Sequence, residues 1–153
     1  MTLIDKRMRM LAFVAAALTV LACGPKDDEP GGGDKPRPTA ACNLVESEPP
    51  HRHGKGVEAA VTAYCDPAPQ AHVLTIWLER EGSDGKSFFQ VGPEQRYTTV
   101  PPKNGQVFPV VYAGCVDGQW RVRARAEGSG PDGIPFKFAL PLDESHIAII
   151  KCS

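Results

Sequence analysis

The feature that most constrains this chain is a strict two-residue alternation. It is clearest in "QWRVRARAE", where Trp120, Val122, Ala124 and Ala126 alternate with Arg121, Arg123 and Arg125. Successive side chains of a strand point to opposite faces, so this segment buries one face and wets the other; a helix would scatter the same residues around its axis. The pattern returns in "GVEAAVTAYC", with Val57, Ala59, Val61 and Ala63 on one side, and in "HVLTIWLER", with Leu74, Ile76 and Leu78. "QVFPVVYAGC" offers Phe108, Val110 and Tyr112, and Pro109 within it predicts an edge strand or a bulge, because proline cannot donate to a ladder. "IPFKFAL" adds Phe136, Phe138 and Leu140, and "SHIAIIKC" adds Ile147 and Ile149.

Between these runs lie "GSDG", "PPKNG", "CVDG" and "SGPDG", where glycine accepts positive φ and proline presets a bend. No segment sustains a helical period. Six to eight short strands in about 110 residues predict an all-β fold, an immunoglobulin-like or fibronectin-like antiparallel β-sandwich of about seven strands. A small β-barrel is the alternative. With 153 residues and 42% hydrophobic content the chain fills one modest core, so a single folded domain is expected over residues 42–153.

Residues 1–22 read as an export signal. Lys6, Arg7 and Arg9 precede the uncharged run "MLAFVAAALTVLA", Met10 to Ala22, which is too short for the ~20 residues a membrane-spanning helix needs. The run ends in "VLAC", Val20 to Cys23, which resembles the lipobox of bacterial lipoprotein signal peptides. That resemblance implies that the Cys23 thiol receives a diacylglyceryl group and that cleavage makes Cys23 the new N-terminus. The chain's layout likewise resembles small bacterial lipoproteins in which a lipobox and a low-complexity tether precede a cysteine-stapled β domain; no family activity comes with the likeness. It implies an exported protein held to the cell membrane or the outer membrane by lipid, facing the extracellular or periplasmic side. Gly24 stands where some lipoproteins carry the aspartate that retains them in an inner membrane. Residues 23–41 then form the lipidated cysteine and a tether of Gly, Pro and charge, too poor in apolar side chains to fold.

In an exported chain the remaining cysteines, Cys42, Cys65, Cys115 and Cys152, form an even set and read as two disulfides. If "AVTAYC", "LTIWLER", "VVYAGC" and "WRVRARA" are strands A, B, E and F, then Cys65 and Cys115 lie in turns at the same end of a sandwich. The expected pairs are then Cys65 with Cys115 and Cys42 with Cys152. Cys42 with Cys65 and Cys115 with Cys152 is the rival, since a hairpin from "CNLVE" into "VEAAVTAYC" would also join the first two. The spacing lacks the close C-x-x-C of a zinc site.

The domain offers few groups for chemistry. After loss of Lys6, Arg7, Arg9 and Asp5 the chain keeps 14 basic against 17 acidic side chains, the wrong balance for a nucleic-acid binder. "HRHG", His51 to Gly54, reads as a solvated loop; it would become a metal site only if His72 or His146 converged on it, so no metal and no cofactor is expected. The row Arg121, Arg123 and Arg125 is the most distinctive surface feature. It can grip a sulfated or phosphorylated glycan or a carboxylate-rich partner, unless neighbouring acids neutralise it. Trp77 falls beside Thr75 and Glu79 by parity, where it can pack under a guanidinium, but its size favours the core through a bulge or a second layer.

Nucleophile motifs are absent, Ser83 in "EGSDG" included, and the pairs Asp27 with Asp28 and Asp143 with Glu144 fall in the tether or a loop. The expected role is a lipid-anchored, non-catalytic binding or adhesion module for a protein or glycan partner. The alternatives are an extracellular protease inhibitor using "EGSDGK" or "EGSGPDG" as bait, and a small secreted hydrolase.

Overall fold

Eight strands form in a computed structural model, which describes residues 41–153. The expectations for the signal segment, for Cys23 and for the tether fall outside the described residues, apart from Ala41. The strands are β1 (Ala41–His53), β2 (Gly56–Asp66), β3 (Ala71–Glu81), β4 (Phe88–Tyr97), β5 (Gln106–Tyr112), β6 (Gly118–Ser129), β7 (Pro135–Ala139) and β8 (Ala148–Ile150). A short 3₁₀ turn, Glu144–His146, precedes β8.

Two antiparallel sheets result. One has three strands in the order β1-β2-β5; the other has five, ordered β4-β3-β6-β7 with β8 on the free half of β6. Lettered A, B, C, C′, E, F and G, the first seven strands give A-B-E against C′-C-F-G, a sandwich of the immunoglobulin and fibronectin type. The sheets do not close into a barrel.

The alternation read from sequence is what packs the two layers. Val57, Ala59, Val61 and Ala63 of β2 and Phe108 and Val110 of β5 meet Leu74, Ile76 and Leu78 of β3 and Trp120, Val122, Ala124 and Ala126 of β6. Each large aliphatic or aromatic side chain removed from water here contributes ~1.5–3 kcal/mol. Trp120 is fully buried, and its indole N–H donates to the Val116 carbonyl at 3.0 Å, so the polar atom is not stranded. Pro109 lies on β5, an edge strand, as its chemistry requires. The side chains of β4 close the gap beside that edge: the Tyr97 hydroxyl donates to the Pro109 carbonyl, and the Gln95 amide donates to the same carbonyl and accepts from the Val111 N–H.

Several expectations need correction. β1 continues through Pro49–Pro50 to His53, so "HRHG" is a strand end and a turn; bulges beside Glu48 erase the alternation that would have announced it. β4 is a mostly exposed strand interrupted by Gly92 and Pro93, with an irregularity opposite Ile76 and Leu78, and it carries no readable period. In β8 the parity is reversed: Ile150 is buried, and Ile149 is 75% exposed.

The disulfides are Cys42–Cys65 and Cys115–Cys152, which overturns the expected pairing of Cys65 with Cys115 and Cys42 with Cys152. The cause is a strand count. Only β4 lies between β3 and β5, so β2 and β5 run antiparallel as neighbours, with Val57 opposite Tyr112 and Ala63 opposite Gln106. Their C-terminal ends, where Cys65 and Cys115 lie, therefore point to opposite ends of the sheet. Cys42 instead sits directly across from Cys65, and Cys115 meets the segment that leaves β8. Sequence separations of 23 and 37 residues correspond to roughly 3–4 kcal/mol each in the chain-entropy picture.

Candidate functional site

Arg121, Arg123 and Arg125 project from the outer face of the five-stranded sheet, because their neighbours Trp120, Val122, Ala124 and Ala126 all face inward. The register of β6 on β3 sets Glu79 opposite Arg121, Trp77 opposite Arg123 and Thr75 opposite Arg125. Trp77 is thus half-buried on the outer face and not in the core, a correction of the expectation from its size; no bulge shifts the parity of β3 against β6. Two guanidinium carbons lie over its ring, Arg123 at 5.9 Å and Arg125 at 5.5 Å from the centroid, within the range of cation–π attraction.

The three arginines differ in how they are neutralised. Arg121 donates through Nε and Nη2 to Glu79 Oε2, both at 2.7 Å, and its guanidinium stacks 4.0 Å from the Phe88 centroid. Glu79 also accepts from the Trp77 indole at 2.9 Å on its other oxygen, so one carboxylate fixes both the arginine and the tryptophan. Arg125 pairs with Glu94 at 3.1 Å in a more exposed geometry worth little on its own. Arg123 has no carboxylate partner among the described residues, and its Nε is buried without a hydrogen-bond acceptor. The result is a face with an aromatic floor, one arginine locked, one loosely paired and one with no carboxylate among the described residues.

Sequence reasoning found the arginines and Trp77 but missed Glu79, Glu94 and Phe88 as their partners. Glu79 was visible as an outward position of its strand; only the β3–β6 register ties it to Arg121.

The histidines separate. His51 and His53 approach Glu58 of β2, neither His72 nor His146. His72 is buried, its Nδ1 3.2 Å from the Thr99 carbonyl, and burial pushes its pKa below the ordinary imidazole value despite that contact. His146 lies 3.9 Å from Glu46, an inward-pointing carboxylate of β1 whose pKa is raised by burial and pulled back by the imidazole.

Loop carboxylates are tied up locally. Asp84, in the turn holding Ser83, accepts from the Ser87 hydroxyl at 2.6 Å and from the Ser87 and Lys86 amides; these contacts, that of the Ser87 side chain foremost, lower its pKa. Asp143 caps the 3₁₀ turn by accepting from Ser145 N–H, which lowers its pKa in the same way.

Comparison of the chain with protein-family models, with curated proteins and with solved structures finds no match. Fold and cross-links define a small all-β domain stapled by two disulfides, suited to an oxidising compartment outside the cytoplasm. Among the described residues no helix is long and apolar enough to cross a membrane.

Proposed function

We propose that this protein is an exported, lipid-anchored and non-catalytic binding module of the cell envelope. Its contact surface is the outer face of the five-stranded sheet, centred on Trp77 and Arg123. The partner is anionic and extended, a sulfated or carboxylated glycan or a carboxylate-rich protein segment. The observation that carries the reading is the unequal arginine row: Arg121 and Arg125 hold acids, while Arg123 sits beside an aromatic floor with no acid of its own among the described residues. A guanidinium offers a fork of donors to carboxylate or sulfate, and an indole face stacks on a sugar ring or a neighbouring cation. The lipobox-like "VLAC" supports anchoring through Cys23.

Two experiments test this. On an array of sulfated and carboxylated glycans and acidic peptides, the protein gives retained signals that fall at least tenfold with Arg123→Ser or Trp77→Ala; equal signals from wild type and both variants overturn the contact surface. Growth with a clickable palmitate analogue labels the wild type and leaves Cys23→Ala unlabelled, and an unlabelled wild type removes the anchor.

A further inference from the structure

We propose that the end of the β1–β2 hairpin is a binding site for a divalent first-row transition ion, with His51, His53 and Glu58 as its protein ligands. The argument begins with the turn. Gly54 adopts φ 59°, the left-handed conformation that a two-residue hairpin turn of the favoured twist demands, and this fixes the register of the strands that flank it. His53 then stands opposite Gly56, and His51 stands directly opposite Glu58. His51 and His53 are two residues apart on one strand, so their rings emerge on the same face; Glu58, directly opposite His51, brings its Cβ within ~5 Å of that residue's and lies diagonally from His53 at roughly 7 Å, within reach of long side chains.

The side chains use that placement. One ligating atom from each of the three residues lies within 4.8 Å of the other two. His53 Nδ1 is already 3.1 Å from Glu58 Oε2, close to the ~3.3 Å edge of a tetrahedron built on bonds of ~2.0–2.1 Å. His51 Nδ1 faces the Pro49 carbonyl at 3.1 Å. A backbone carbonyl accepting from one ring nitrogen is the contact that orients metal-bound imidazoles, and it leaves Nε2 as the bare lone pair.

Two imidazoles and one carboxylate suit the borderline ions Zn(II), Ni(II) and Cu(II), with Cu(II) held most tightly, and leave positions open for water. The site is exposed and lies on the three-stranded sheet, distinct from the arginine face, so it stands or falls independently of the proposed partner.

The test uses untagged full-length protein with both disulfides formed, in a Cys23→Ser background so that no free thiol competes. Titration with Zn(II) against a chromophoric chelator is expected to give one equivalent bound. His51→Ala, His53→Ala and Glu58→Gln each weaken binding at least tenfold, while His146→Ala leaves it unchanged. Cu(II) loaded into the wild type shows two nitrogen couplings by electron paramagnetic resonance, and one in either histidine variant. All three substituted positions lie at a solvent-facing strand end, and unchanged circular dichroism checks that the variants remain folded. Absence of a bound equivalent in the wild type, or binding unaffected by Glu58→Gln, overturns the three-ligand site.

Discussion

The outer faces of the two sheets make opposite use of polar side chains. On the five-stranded sheet Glu79 is spent twice, on Arg121 and on the Trp77 indole, and Glu94 engages Arg125, so two of the three arginines of the β6 row are already matched inside the protein. On the three-stranded sheet the row Val45, Thr62 and Val107 runs across the strands with half-exposed valines, and polar side chains gather at its two ends, Asn43 donating to the Tyr64 hydroxyl at 2.9 Å at one and His51, His53 and Glu58 clustering at the hairpin end. A matched lattice gives stiffness and leaves Arg123 as the arginine of the row with no carboxylate among the described residues. A sparse face gives little stiffness, but its polar cluster keeps lone pairs to offer.

That contrast can be tested by substitution, beginning with the covalent tie inside the thinner sheet. Replacing Cys42 and Cys65 together by Ala is expected to cost about 3 kcal/mol and to raise amide exchange in β1 well before β3 and β6; uniform loss of protection across both sheets would remove the distinction. On the matched face, Glu79→Gln leaves Arg121 in a mostly buried setting without its counter-charge. Urea denaturation is expected to report a loss of about 1–2 kcal/mol, and a change indistinguishable from zero would mean that the lattice is ornamental.

His72 gives a smaller and pH-dependent effect. Burial lowers its folded pKa, so above about pH 6.5 both states are neutral and there is no penalty. As the pH falls below that value the unfolded chain takes up a proton that the folded one refuses, and stability drops until the folded pKa is passed. Glu46 has the opposite sign: its raised folded pKa gives stability present below the ordinary carboxylate value and lost as pH rises through the folded one. Glu46 is common to both proteins, so between pH 7.5 and 5.5 the melting temperature of the wild type is expected to fall relative to that of His72→Gln as the pH is lowered, and parallel profiles would remove the His72 contribution. The smallest effect belongs to the sparse face, where Val107→Thr should change stability by less than about 0.5 kcal/mol.

How much of this was readable beforehand depends on whether one side chain in two is buried. β2, β3 and β6 have a wet face and a dry face, and their inward residues were legible as a period of two. β1 hides behind its bulges and its two prolines, and β4 packs too little apolar surface to show any period. Lettering β2, β3, β5 and β6 as A, B, E and F leaves room for two strands between β3 and β5 where only β4 forms, which reverses the direction assigned to β5 and with it the partner of Cys65; a strand count wrong by one turns the right four cysteines into the wrong two bonds. The arginine row was legible for the same reason as Trp120, since both follow from alternation. The fate of its charges was not, because Glu79 and Arg121 are 42 residues apart and meet only through register. The His51 and Glu58 pair was hidden in the same way by the unread β1.

The Cys42–Cys65 bond also decides how this domain bears load. A pull applied to the chain just before Cys42 would, without the bond, peel an edge strand from its sheet one rung at a time. With the bond in place tension divides at Cys42 and enters β2, the central strand of its sheet, which is held on both sides by β1 and β5. Unzipping is thereby exchanged for shear across two ladders at once, and the weak direction of the sandwich is shielded from force arriving at its N-terminal side.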